Sequence, residues 1–143
     1  MNVTEAVALA VERLRAYPVI VEHEIQVLSE AEAHDLEAVI SQELAKGSLH
    51  IVVAAGSASY EAGARAGVKG TRTLVVTLAY LPGMAPPPVV VLGLSSRLAG
   101  WLHGWPATGS ALAVTEEAPI PDGADVAGRQ IILSIPEVLL AER

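Results

Sequence analysis

The chain predicts one α/β (α+β) domain over residues 1–143, with a mostly antiparallel sheet and helices packed against it. Three observations carry this. The run Thr71-Arg-Thr-Leu-Val-Val-Thr-Leu-Ala-Tyr-Leu81 is rich in β-branched residues, as strands are. A proline-rich break (Pro82, Pro86, Pro87, Pro88) then leads into a helix-like segment that closes on Leu98-Ala-Gly-Trp-Leu-His-Gly-Trp-Pro106. Two further strand-like runs, Ala111–Glu116 and Arg129–Ile135, flank an acidic, proline-bearing stretch. The length suits a single domain by the usual prior of about 100–200 residues. No repeat, low-complexity tail or linker divides the chain.

From the start, Val3, Val7, Ala10, Val11 and Leu14 recur at helical spacing, and Asn2 with Glu5 forms an N-cap pair, so residues 2–16 read as a helix that Pro18 stops. Val19 to Leu28 alternates, with Val19, Val21, His23, Ile25 and Val27 on one face and Glu22, Glu24 and Gln26 on the other, predicting a strand with one wet side. Ser29 and Glu32 read as a capping box opening a helix over 29–46. Leu36, Val39, Ile40 and Glu43 or Leu44 are its stripe, and Lys46 and Gly47 mark its end.

Leu49 to Ser59 reads as a second strand with Ile51 and Val53 on one face. Glu61 to Gly70, containing Gly63, Gly67 and Gly70, predicts a long mobile hairpin connection. The Thr71–Leu81 strand turns Leu74, Val76, Leu78 and Tyr80 one way and Thr73, Val75, Thr77 and Ala79 the other. Pro86-Pro87-Pro88 fits a helix opening on proline, with Val91, Leu94, Leu98, Trp101 and Leu102 as its stripe. Val89-Val90-Val91 fits a strand equally well, which leaves that helix start open. Gly104 and Pro106 end it. The closing strands carry Leu112 and Val114, then Ile131, Leu133 and Ile135. Between them Glu117 to Ala127, with Pro119, Pro121, Asp122 and Asp125, is longer than a tight hairpin needs.

Hydrophobic residues make up 52% of the chain and charged ones 17%, and Phe is absent, so Val, Leu, Ile and Ala must fill the interior. That aliphatic surplus fits an obligate oligomer, whose interface resembles a core cut in half, and equally fits an Ala-rich genome. The formal charge of −7 with nine Lys plus Arg offers no basic face for phosphate, so no sequence-specific nucleic-acid binding is expected. The absence of Cys removes disulfides, thiolate metal sites and thiol nucleophiles together. Met1-Asn-Val-Thr-Glu5 lacks the features of a signal peptide, and no run approaches the roughly 18 apolar residues of a membrane span. The expectation is a chain made inside the cell, with no membrane partner.

No motif points to catalysis. His23, His34, His50 and His103 form neither H-x-x-x-H nor H-E-x-x-H, so no metal is expected. In Glu22-His23-Glu24 the strand period points the imidazole away from both carboxylates. Gly56-Ser-Ala-Ser59 lacks the nucleophile elbow, and Gly63, Gly67, Lys69 and Gly70 reproduce no phosphate loop. Glu116 and Glu117 are adjacent and face apart on a strand, unlike a glycosidase pair. Trp101 and Trp105 suit an anchor in the core or at a subunit contact. The expectation is therefore no catalytic residue, no cofactor and no enzyme.

The helix Asn2–Ala16, the strand Ile51-Val-Val-Ala-Ala55 leading into Ser59-Tyr60, Arg72-Thr-Leu-Val-Val-Thr-Leu78, the helix ending Arg97-Leu-Ala-Gly-Trp-Leu102 and the final hairpin of Ser110–Thr115 and Gly128–Ser134 follow one another in an order that resembles bacteriophage tail terminator and tail completion proteins, notably the minor tail proteins of Mu-like phages. The resemblance covers most of the chain, and Leu98-Ala-Gly-Trp101 is the nearest thing in it to a motif. It implies a structural virion protein, made in the host cytoplasm, that forms a homo-oligomeric and usually six-fold ring at the head–tail junction. Such a ring ends polymerisation of the tail tube protein and gives the head–tail connector its docking surface. A ring of this kind needs a heterologous interface, for which Arg65, Lys69, Arg72, Glu116, Glu117, Asp122 and Asp125 are the candidates. A head-completion adaptor, a small ligand-binding domain using the 61–70 loop, and an enzyme whose site joins His50, His103 and acids across an interface are the alternatives.

Overall fold

The computed structural model describes residues 2–30, 32, 35–61, 67–83, 86–107, 109–121 and 126–140, the last three by backbone alone. Helix α1 (Val3–Arg15) opens as its first residues dictate: the Asn2 side chain accepts from the Glu5 amide at 2.8 Å, while the Glu5 carboxylate accepts from the Asn2 amide at 3.3 Å. Its apolar stripe, Ala6, Val7, Ala10, Val11 and Leu14, is buried.

The strand expected over Val19–Leu28 is mostly something else. Pro18 occupies the first turn of a second helix, α2 (Pro18–Glu22), where its missing N–H costs nothing. Tyr17 precedes it in extended conformation, and Glu24, at φ 51°, turns the chain out of it. Ile20 and Ile25 reach the core, while Val21 stays 61% exposed. His23 caps the end of α2, so its expected place on a strand face is overturned. Only Gln26–Ser29 forms a strand, β1.

Ser29 does not cap the next helix. It ends β1, paired in register with Val53, and α3 (Leu36–Ala45) starts later under Asp35, whose carboxylate accepts from the Ala38 amide at 3.1 Å. Sheet pairing claimed Ser29, and Asp35 supplied the cap instead. The C-terminal end matches expectation: Gly47, at φ 71°, donates to the Leu44 carbonyl at 2.9 Å.

Strand β2 (His50–Tyr60) and β3 (Gly67–Tyr80) pair out to Tyr60 opposite Gly70, so Gly67–Gly70 is strand and not connection. The helix after the prolines, α4, runs Val91–Leu102 and starts beyond them, because Val90 is extended at φ −71°, ψ 112°. Strands β4 (Ala113–Pro119) and β5 (Ala127–Leu140) close the fold. Glu117 thus lies in a strand, and the acidic loop shortens to 120–126. Asp122 and Asp125 in that loop, Arg65 in the β2–β3 connection and His34 lie outside the described residues.

The sheet order is β1-β2-β3-β5-β4, with β1 parallel to β2 and every other pair antiparallel. Helix α3 makes the crossover that the parallel pair requires. One face is roofed by α1 and α4. Beneath them Ile51, Val53, Leu74, Val76, Leu78, Ile131 and Leu133 are fully buried against Leu14, Leu94, Leu98 and Leu102. The fold is thus a single mixed, mostly antiparallel sheet with helices packed against it, as the sequence predicts. No helix among the described residues is long and apolar enough to cross a membrane.

Trp101 ties the two roof helices together. Its indole N–H donates to the Arg13 carbonyl at 2.7 Å, and Arg13 Nε returns a bond to the Trp101 carbonyl at 3.0 Å. The Arg13 guanidinium lies 3.4 Å from the Trp101 ring centre and 4.0 Å from that of Trp105, a double cation–π stack. Tyr17 meets Trp101 edge-on at 5.3 Å.

Candidate functional site

The charged candidates divide into tethered and free. Arg72 follows the parity of Leu74 and points to the helix side, where its Nε meets both oxygens of Glu137 at 3.0 Å and Tyr60 Oη donates to the same carboxylate at 2.8 Å. Hydrogen bonding to Glu137 pushes Tyr60 and Arg72 above their ordinary values. Burial pushes Glu137 up, but the bonds from Tyr60 and Arg72 outweigh it and hold it below the usual carboxylate range. Glu117 accepts both arms of Arg129 at 2.8 Å and Ser95 Oγ at 2.7 Å, and those bonds, Arg129 first, lower its pKa. Arg72 and Glu117 therefore spend their charge inside the chain, tying strand to strand and β4 to α4.

Lys69 and Glu116 are exposed. They stand opposite Val138 and Ile132, six residues apart along β5, or about 20 Å at about 3.3 Å per residue, so one chain does not bring them together. Alternation across a small bulge turns Glu116 away from Glu117, as expected.

The histidines do not converge. His103 Nδ1 accepts from the Val114 amide at 3.0 Å, at the β4 edge, whereas His50 starts β2, with β3 and β5 between. Among the described residues no three His, Cys, Asp or Glu side chains are grouped to hold a metal ion. His50 is fully buried, with Nδ1 3.3 Å from the Ser48 carbonyl and no partner at Nε2 among the described residues. Burial drives its pKa below the ordinary 6.5, against the weaker pull of Ser48 and Glu43.

The sign of the pH dependence follows. Above 6.5 neither state holds the extra proton. Below it the unfolded chain takes up a proton that the folded chain refuses, so stability falls as pH drops from 6.5 and levels off under the folded pKa. Glu117 and Glu137, lowered in the fold, add a second loss within and below the carboxylate range. Urea midpoints measured against pH should show both steps, and His50→Leu should remove the first alone.

Alternation leaves two cross-strand rows on the face away from α1 and α4. One reads Leu28, Val52, Thr77, Gln130, Ala118 and the next Ala54, Val75, Ile132, Glu116. All but Glu116 are half-buried, and the face is not open throughout: His50 and its cross-strand partner Ala79 share its parity and are buried, with Glu43 of α3 near His50. Glu116 is the sole charge in the two rows. A second apolar feature sits where α4 begins: Val90 is 76% exposed and Leu92 58%, and with Tyr80 and Pro86–Pro88 they line a shallow groove. No charged residue occurs from Thr73 to Ser96, a run of sequence that feeds both features. That uncharged run was the signal available in the sequence; the expected charge-based interface passed over it.

No known protein-family model and no curated protein sequence matches this chain.

Proposed function

We propose that the chain is a structural, non-enzymatic subunit of a phage tail, a terminator whose ring closes the head-proximal end of the tube and receives the connector. The observation that carries this reading is the half-buried, uncharged set Val75, Thr77, Gln130, Ile132 and Ala118 on β3, β5 and β4, surface of the kind an assembly subunit keeps for a neighbour. The segment order that resembles tail terminators supports the same reading. Termination follows from asymmetry. A closed ring presents one rim that matches the last tube subunit and another that cannot recruit a further one.

Negative-stain imaging with light scattering is the test. Purified protein should form closed rings, alone or on added tail-tube protein, and a substoichiometric amount should shorten growing tubes and mark one end of each. Tubes of unchanged length with bare ends would count against it.

A further inference from the structure

We propose that a second copy of this chain adds its β2 edge, at Ala58 and Tyr60, to the β5 edge of the first, at Pro136, Val138 and Leu140. The strands run parallel, and the sheet continues from subunit to subunit. This rests on the assembly reading above and names the edges that join its subunits.

The outer strands are guarded against such pairing. On β4 the Val114 amide is taken by His103 Nδ1, and Pro119 has no N–H to offer. On β1 the Val27 carbonyl accepts from Arg15 Nη2 at 2.8 Å. Blocking of this kind keeps sheets from recruiting stray strands. The inner strands outrun their guards. Pairing with β1 stops at Val53, and the Glu30 carboxylate takes the Ala55 amide at 2.7 Å, but β2 runs on to Tyr60. Pairing with β4 stops at Ser134, but β5 runs on to Leu140. The ends of β2, β3 and β5 therefore project as an arm, with no further strand on either side among the described residues.

The ladders fix which backbone groups face out. The Glu61 amide donates to the Lys69 carbonyl, so Glu61 and Ser59 bond inward to β3 while Ala58 and Tyr60 turn N–H and C=O outward. The Ile120 amide donates to the Gly128 carbonyl, so even-numbered residues of β5 face the β4 side. Past Ser134 these are Pro136, Val138 and Leu140. Pro136 suits the place, because proline in a sheet turns its missing N–H to an open edge.

The two edges fit each other. Both β2 and β5 run antiparallel to β3, hence parallel to one another. Rotation about an axis near the strand direction keeps them so and sets the β2 edge of one copy beside the β5 edge of the next. With Val138 opposite Ser59 of the neighbour, the Val138 and Leu140 amides meet the Ala58 and Tyr60 carbonyls. The Ala58 and Tyr60 amides in turn meet the Pro136 and Val138 carbonyls. The donor that Pro136 lacks falls opposite the Gly56 carbonyl, which Arg72 Nη1 already occupies at 3.2 Å. Glu137 and Ala58, adjacent in this register, both share the side of Arg72, so each face of the sheet runs on unbroken. The arm is stiff as well. Arg72 of β3 and Tyr60 of β2 both bond the Glu137 carboxylate of β5, a clasp across its strands, and a pre-formed edge loses little freedom on binding.

Amide hydrogen exchange on dilute and on assembled protein is the test. The amides of Ala58, Tyr60, Val138 and Leu140 should exchange freely in the monomer and slow by about tenfold or more on assembly, with Glu61 slow in both. Ala58→Pro and Val138→Pro each remove an outward N–H that the fold does not use, so circular dichroism should match the wild type. Light scattering should show each needing about tenfold more protein to assemble. Mixed one to one, the variants should associate more tightly than either alone, through the intact edge of each. Amides that exchange alike in wild-type monomer and ring, or folded proline variants that assemble like the wild type, overturn these edges alone. Protection that appears only with tube protein, on a chain that never self-associates, overturns the choice of a second copy. A wild type that stays monomeric with and without tube protein sinks the assembly reading too.

Discussion

Replacing Gly128 by valine is expected to remove a large part of the chain's stability. Gly128 sits at φ 146°, opposite Ala79 in the β3–β5 ladder, and a β-carbon there would overlap the Leu78 carbonyl oxygen. The obstruction is backbone in the central ladder, so no side chain can swing aside. Forced φ and overpacking together cost on the order of 2–6 kcal/mol, against about 5–15 kcal/mol of total stability for a typical domain. Gly100 gives the opposite result. It lies inside α4, exposed, with open space where a β-carbon would go, so Gly100→Ala should stabilise by about 0.5–1 kcal/mol. Urea denaturation of the two variants beside the wild type reads both, and equal shifts would contradict the geometry.

Leu98→Ala and Leu92→Ala form the second pair, with one residue type on one helix in two settings. Leu98 is fully buried between α4 and the sheet, and truncation should cost about 2–5 kcal/mol through lost burial and the cavity left behind. Leu92 is 58% exposed, so its truncation should leave monomer stability within about 0.5 kcal/mol of wild type. In thermal melts Leu98→Ala should lower the melting temperature while Leu92→Ala leaves it in place. A Leu92→Ala protein that melts early would place that side chain in the core after all.

Features written in neighbouring residues were legible in the sequence. The Asn2–Glu5 box, the Gly47 stop and the two faces of β3 all depend on contacts a few residues apart or on a period of two. The failures share a different cause. Around Val19–Leu28 the strand period turns Val21 inward with Ile25, whereas the five-residue helix buries Ile20 and leaves Val21 exposed, and so short a run of apolar residues fits either. Tyr17, Pro18 and the left-handed Glu24 decide between them through backbone geometry that hydrophobic pattern does not carry. Ser29 was a sound cap locally, but its backbone was taken by Val53, far along the chain. The candidate site suffered similarly. Arg72 looked free because its partner, Glu137, lies 65 positions away. The second face of the sheet was half visible in the run Thr73, Val75, Thr77, Ala79, but only the fold shows that Ala79 is buried beside His50 while Val75 and Thr77 stay half-buried.

The Arg13 stack also decides what light can report. The chain has two tryptophans, and one guanidinium touches both, so nearly all indole emission arises from the seam between α1 and α4. Fluorescence therefore watches the roof part from itself, while far-ultraviolet dichroism watches the strands and helices as a whole. Coincident unfolding curves would mean that seam and sheet melt as one cooperative unit. An earlier fluorescence transition would reveal a roof that loosens while the ladder beneath it still holds.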